Sequence, residues 1–498
     1  MSINIIGYPH RTHVTSTNVS YWNSSRQPFV FHVERKDGVF FGINDASGYA
    51  QLVVASYIAS ASEVVVGSKI FLKDLAGNYE GLATVTAIPV TGVPYYAFTT
   101  DIPYSSFSIG GYFNIISRIN YGITAQITIE QRGFTTIKSC KVSPDSTGVG
   151  MLDIRPFINA SMLKTDSRPI SDVDYLDKNV FCKINLSLTE LWKGSSESPL
   201  VVPFTYHAID GVKYIGDVYG QNFADFLPQS NAPTSLGKFL TAFEQPIYFE
   251  GYPFDLAYIQ PTHLSGVNCT ANRIAYSNNG TTVDSDATDL DSSLGEGVHR
   301  VKFNLDTVAS GASSVDFFIK AGGTAGTLYV DLGYVADTYV EGEVATSGTP
   351  VEITERKRVI YDKACGDYKK PVYLKWRNHL GAWDYFLFQN RQESDTQTKQ
   401  IADYQTEPIE LSDAVGRDAI TSTQQGSRMT VGALVGLKQI EGIKGIERSP
   451  VVMMMTDKAN NKWVRVRIVP KGFKYDTRAK VVPIELTFEL PDYYSIPN

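Results

Sequence analysis

A chain of 498 residues is too long for one ordinary hydrophobic core, and domains of roughly 100 to 200 residues imply about three or four of them. A hydrophobic fraction of 43% excludes global disorder, while a charged fraction of only 19%, with 40 glycines and 29 tyrosines, favours strands and turns. The formal net charge of -7 disfavours nucleic-acid binding, which needs Lys and Arg concentrated on one face.

The first residues, MSINIIGYPHRTHVTSTNVSYWN, are polar and carry histidines where a signal peptide has an apolar core. Nowhere do about 18 uninterrupted apolar residues occur. The expectation is a chain made in the cytoplasm and not inserted in a membrane. From Tyr21 to Val33, Pro28 opens an alternating run in which Phe29, Phe31 and Val33 share one face and Val30 and His32 the other, the pattern of a sandwich strand. Residues 50–116 hold short strands separated by turn signals and read as a small β-barrel inserted into an N-terminal β-sandwich made of 1–49 and 117–230. Tyr121 to Glu130 resumes the outer sheet, and Met151 to Phe157 reads as a strand-to-turn unit. Asp166 to Asp177, polar and carrying Pro169, reads as a loop before the strand Asn179 to Leu188, whose Cys182, Ile184, Leu186 and Leu188 form an apolar face.

Asn231 to Ser235 reads as a linker. A second sandwich follows over 236–388, with strands at Gln245 to Glu250, Phe254 to Gln260, Arg273 to Ser277, Val298 to Leu305, Val315 to Lys320 and Thr327 to Leu332. It closes on a hairpin, in which Tyr373 to Asn378 and Trp383 to Phe388 flank a turn at His379-Leu380-Gly381-Ala382. Strict alternation assigns Leu374 and Trp376 to the core and leaves Lys375, Arg377 and His379 to solvent or a neighbouring chain. Residues 389–427 read as a polar extended arm, and 428–498 as a C-terminal β-domain. Within Thr430 to Ser449, four glycines allow at most a short helix, each costing it about 1 kcal/mol. In Trp463 to Val469, Val464, Val466 and Ile468 oppose Arg465 and Arg467, as in an exposed antiparallel strand. The fold class is therefore all-β and multidomain, with antiparallel β-sandwiches and a small inserted barrel.

Candidate chemistry is sparse. Cys140, Cys182, Cys269 and Cys365 form no CxxC pair, which removes zinc-ribbon and redox-motif readings and leaves small buried thiols. Asp284, Asp286, Asp289 and Asp291 are spaced like a calcium loop, yet Asp289 and Gly295 stand where such a loop needs glycine and glutamate, so the stretch reads as a solvated loop after Asn279-Gly280. His10 and His13 alone make an incomplete metal site. No GxSxG elbow occurs and no carboxylate pair stands out. The aromatic row Tyr95-Tyr96-Ala97-Phe98 suits sugar stacking or, more commonly, packing. The expectation is no catalytic, metal or cofactor residue. The residues marked for packing or subunit contact are Trp376, Trp383, Tyr385, Arg377, His379 and Trp463.

The hairpin resembles a signature of tail or baseplate proteins of tailed bacteriophages infecting Bacteroidota-type hosts. The matching residues are Cys365, Tyr373, Leu374, Trp376, Asn378, Gly381, Trp383, Asp384, Tyr385 and Phe388, and the sequence departs from the pattern at Arg377 and His379. Val66 to Ile88 is similar to a small barrel near the start of such proteins, and Arg448 to Asp492 to their last β-domain. The resemblance implies a structural virion protein at the tail tip, baseplate or neck, not an enzyme. Its partners would be further copies of itself in a closed ring and other virion tail or neck proteins, through heterologous contacts. The alternatives are a polysaccharide-binding adhesin of the particle, using exposed aromatics, and a virion-associated glycan hydrolase.

Overall fold

A computed structural model describes residues 3–7, 22–35, 41–45, 51–55, 66–67, 69–73, 79–92, 95–100, 112–117, 122–143, 149–162, 165–166, 168, 173–192, 195–196, 199–202, 205–212, 223–228, 236–261, 264, 267–303, 307–322, 326–335, 338–346, 350–362, 371–405, 418–473, 478–491 and 493–495. His10, His13, Cys365 and the linker at 231–235 lie outside them. Strands dominate and pair in several antiparallel sheets, so the all-β class read from alternation holds. No helix among the described residues is long and apolar enough to cross a membrane. The chain divides into two compact units, one made of Met1–Thr12, Pro28–Ser161 and Lys183–His207, the other of His13–Gln27, Met162–Cys182 and Ala208–Asn498.

In the first unit, Gly122–Gln131 pairs with Phe134–Val142 across a tight Arg132-Gly133 turn. Both turn residues have positive φ, 57° and 80°, as a type I′ hairpin requires. On its other side the strand pairs from Lys183 onward with Phe181–Trp192, setting Ala125 against Leu188 and Ile127 against Leu186. The period of two puts Ile123, Ala125, Ile127 and Ile129 on the buried face with Ile184, Leu186 and Leu188. A second sheet joins Ile3–Gly7, Val30–Arg35 and Val149–Asp153. Its Phe29 and Phe31 meet Tyr206 edge-on at 5.9 and 5.2 Å, closing a sandwich core.

Met151 to Phe157 turns into a helix, Arg155–Ser161, rather than a simple turn. Asp153 Oδ1 accepts the Arg155 N–H at 2.9 Å, and Pro156 sits in the first turn, where its missing N–H costs nothing. Also in this unit, Phe41–Asp45, Gln51–Ala55, Tyr95–Thr100, Tyr79–Gly92, Lys69–Lys73 and Tyr112–Ser117 pair in that order as a closed circuit.

The second unit contains three sheets that bear on the site. One runs in the order Ile247–Phe249, Lys357–Asp362, Ala312–Ala321, Cys269–Ser277, Thr282–Asp289. The acidic stretch is therefore an edge strand and not the loop read from its charges; only Asp291 lies in a turn, where its side chain caps Ser292–Leu294. The second sheet joins Asp174–Leu176, Gly297–Val301 and Leu256–Gln260. The third places the hairpin strands Trp383–Phe388 and Val372–Arg377 beside Val452–Asp457, Lys462–Val469, Val481–Glu489, Asp418–Gly436 and Arg391–Gln405.

Stretches read in sequence as 236–388 and 428–498 contribute to one apolar core, from Phe239 to Phe488. The glycine-rich segment forms the helix Leu437–Lys444, with Ile440 and Ile443 buried. Packing overrides propensity there: a Cβ at Gly442 would lie 2.4 Å from the Phe243 ring, so only glycine lets the helix approach it. The polar arm is a strand, pairing with Asp418–Gly436 from Arg391 to Gln405.

Candidate functional site

The densest polar constellation lies within the second unit, around Arg300. Its strand, Gly297–Val301, is buried along its whole length, so a guanidinium there must find anions inside the protein. Arg300 is 2% exposed and uses its fork fully. Nε and Nη2 donate to the two oxygens of Asp255 at 3.1 and 2.9 Å, Nη1 donates to Asp166 at 2.6 Å and to Asp177 at 3.4 Å, and Nη2 also donates to the Tyr385 hydroxyl at 2.8 Å. Tyr385 in turn donates to Asp255 at 2.7 Å, and Arg168 closes onto the same carboxylate. Lys375 donates to Asp166 at 2.6 Å, and its ammonium lies 4.0 Å from the Trp463 ring centre and 5.3 Å from that of Trp383. Three cations thus face three carboxylates.

The protonation equilibria follow from burial set against these pairings. Burial pushes the Asp166 carboxyl up, but Arg300 and Lys375 outweigh it and hold the group well below the usual carboxylate range. Asp255 is likewise lowered, burial being overcome by Arg300 and Arg168. Asp177 goes the other way: its one contact to Arg300 is long, and burial raises it. Burial also pulls the Lys375 ammonium down, against the attraction of Asp166.

A second set of bonds fixes the hairpin turn. Asn378 accepts the N–H groups of Leu380 and Ala382 at 3.0 and 3.1 Å and donates to Leu240 O at 2.9 Å. Gly381 has φ of 90°, and a Cβ there would lie 2.9 Å from Asp210 O, so this position admits only glycine. Arg377 donates to Gly381 O at 3.2 Å and approaches Asp210, which also holds Arg26 at 2.9 Å. Asp384 accepts from Thr241 Oγ1 at 2.7 Å and from Ala242 N–H at 3.1 Å; burial nevertheless pushes its carboxyl up to about 6. His299, beside Arg300, sets one ring nitrogen 3.0 Å from Asp174 and the other 2.8 Å from Gly295 O.

Of the residues marked from sequence, Trp376, Trp383 and Tyr385 are buried, Trp463 is half-buried and packs on Tyr373 at 5.8 Å, and His379 is half-buried in the turn. Lys375 and Arg377 correct the sequence reading. Both hairpin faces are covered, and at 5% and 0% exposure neither cation meets solvent. Alternation gives the two faces but not what covers them, and here the second face is roofed by carboxylates distant in sequence. Asp166, Arg168, Asp177, Asp255 and Arg300 went unmarked. The available signal was a charge inside an apolar strand, as in Val298-His299-Arg300-Val301 and Phe254-Asp255-Leu256.

Chemically, these carboxylates are taken up by guanidinium, ammonium and phenol groups. Among the described residues, no group of three or more His, Cys, Asp or Glu is placed to hold a metal. Cys182 and Cys269 are buried thiols, each pushed up to about 12 by burial. The cluster ties Asp166, Arg168 and Asp177 to Asp255, to the strand Gly297–Val301 and to the hairpin, which is the work of a fastening.

No family model matches the chain, and no curated protein matches it. Among solved structures it is similar to the crystal structure of chicken CNTN1 FN1-FN3 domains, at 9% identity and a TM-score of 0.15, over 66% of this chain and 99% of that one. Trypsin-activated alpha-2-macroglobulin from Escherichia coli is similar at 8% identity and a TM-score of 0.13, over 94% of this chain and 39% of that one. The native conformation of the same Escherichia coli protein gives 9% identity and a TM-score of 0.12, over 93% of this chain and 37% of that one.

Proposed function

We propose that the chain is a structural component of a bacteriophage virion, a tail or baseplate protein that assembles into a symmetric ring through its β-domains. The observation that carries this reading is the use made of the hairpin signature. Every described residue of it is spent on internal architecture: Tyr373 donates to Pro253 O at 2.7 Å, Asn378 and Gly381 form the turn, Asp384 holds Thr241 and Ala242, Tyr385 joins the Arg300 cluster, and Leu374, Trp376, Trp383 and Phe388 fill the core. A signature that fastens a domain is what a building block needs.

A second feature supports assembly. The ribbon of Arg391–Gln405 and Asp418–Gly436 runs on past its pairing with Val481–Glu489, which ends at Arg428. Its outer strand ends the sheet order among the described residues and presents a backbone edge to a neighbour. The test is location. Antibody-gold electron microscopy and quantitative mass spectrometry of purified particles should place several copies of the chain at one point on the tail, and its absence from purified particles would refute the reading.

A further inference from the structure

Two other edge strands fit one another. Phe134–Val142 ends the order of the sheet that holds Gly122–Gln131, and Thr282–Asp289 ends that of the sheet that holds Cys269–Ser277, both among the described residues. Phe134–Val142 is paired along one side without a bulge for its whole nine residues, and only Val142 is fully buried. Ile137 is left 57% exposed in mid-strand.

The backbone phase of each edge is fixed. The Arg132-Gly133 turn closes on a hydrogen-bonded Gln131–Phe134 pair, so even-numbered residues bond inward, and Thr135, Ile137, Ser139 and Lys141 present their N–H and C=O groups outward. On the other strand, the Leu290 N–H donates to Cys269 O at 2.9 Å, which sets the outward positions as Asp289, Ala287 and Ser285, as far as the bulge at Val283. The Ala287 N–H does point outward, where Asp286 of its own chain accepts it at 2.9 Å, a bond that an added strand would replace.

Charge then selects the pairing. Phe134–Val142 carries Lys138 and Lys141 and no acid; Thr282–Asp289 carries Asp284, Asp286 and Asp289 and no base. Like charges oppose the addition of either edge to its own copy, and opposite charges favour the mixed pair. Asp284 and Asp286 share one guanidinium, that of Arg273 at 3.2 and 3.3 Å, so two carboxylates there are held by a single cation.

We propose that Phe134–Val142 of one copy adds antiparallel onto Thr282–Asp289 of a second copy, with Lys138 opposite Asp286. In that register three outward positions meet, Thr135 with Asp289, Ile137 with Ala287 and Ser139 with Ser285, while Thr136 faces Thr288 and Cys140 faces Asp284. The contact is heterologous and propagates from copy to copy. It rests on the reading of the chain as a self-assembling block and names the surfaces that would be used.

Three variants of the full-length chain test it. Ile137→Pro removes only an N–H that faces outward, a position where an edge strand tolerates proline. It should keep the wild-type melting curve and weaken self-association at least about tenfold by sedimentation, since the added strand loses its hydrogen bond and meets the ring. Asp284→Cys should give reducible oligomers on mild oxidation, by a disulfide to the native Cys140 of the next copy, while Thr288→Cys, out of register with Cys140, should not. If the wild-type chain associates but folded Ile137→Pro associates equally well, or both cysteine variants cross-link alike, the edge pairing is wrong and assembly stands by another surface. A wild-type chain that stays monomeric up to the highest soluble concentration overturns both.

Discussion

The hairpin at 372–388 and the ribbon at 391–436 are neighbours in sequence and alike in kind, each a pair of antiparallel strands carrying ion pairs, yet they live in opposite environments. In the hairpin every strand residue is buried, and Lys375 and Arg377 find carboxylates from far along the chain. In the ribbon the ion pairs lie at the surface: Arg391 with Glu393, two residues on, at 2.6 Å, and Arg428 with Glu489, directly across the sheet, at 2.9 Å. The same residue types therefore carry different energetic weight. Removing one partner of a buried pair strands the other without water, whereas a surface pair exchanges its partner for solvent.

The largest effect should follow Arg300→Leu. It leaves Asp166, Asp177 and Asp255 without the one cation that bonds all three, a loss of about 3 to 5 kcal/mol in denaturant unfolding. Retention of wild-type stability would show that the cluster is not a fastening. Trp376→Ala should cost about 3 to 5 kcal/mol, since the fully buried indole packs on Phe243 at 5.8 Å. An unchanged midpoint would place that ring outside the core.

Asp384 sharpens the comparison through pH. Its folded-state pKa of about 6 lies above the ordinary carboxylate value, so the folded chain binds this proton more tightly than the unfolded one. Its contribution is most favourable below about pH 4 and is lost as pH rises through 6, about 3 kcal/mol for two pH units. Asp384→Asn keeps the Thr241 and Ala242 bonds with the Thr241 hydroxyl reversed, and should remove this slope between about pH 4 and 6; identical wild-type and variant slopes would refute the assignment. Asp166 and Asp255, both lowered, act in the opposite sense and at lower pH, their stabilisation being lost as acid protonates them. The smallest effect belongs to the ribbon: Arg428→Ala should leave the unfolding midpoint within error, because its pair with Glu489 is exposed.

Strand identity was legible wherever one face is apolar. Phe29, Phe31 and Val33, and Ile184, Leu186 and Leu188, alternate in sequence and sit buried as their period implies. The hairpin turn was legible from Gly381 and the aromatic runs beside it. A short helix was allowed by the sequence within Thr430 to Ser449 and is found at Leu437–Lys444. Three things were hidden for one reason, that each depends on a partner distant in sequence: Lys375 is buried because Asp166 reaches it, Gly442 is required because Phe243 presses there, and the acidic run at Asp284 becomes a strand because Cys269–Ser277 pairs with it. Polarity and Pro169 made Asp166 to Asp177 read as a loop, although Asp166 and Asp177 are two of the three anions of the buried cluster.

The most direct test of the chain as a self-assembling block is sedimentation velocity of the purified full-length protein over a wide concentration range. The account predicts that the 55.0 kDa species gives way to discrete larger assemblies with rising concentration. A single 55.0 kDa boundary at every concentration would contradict it.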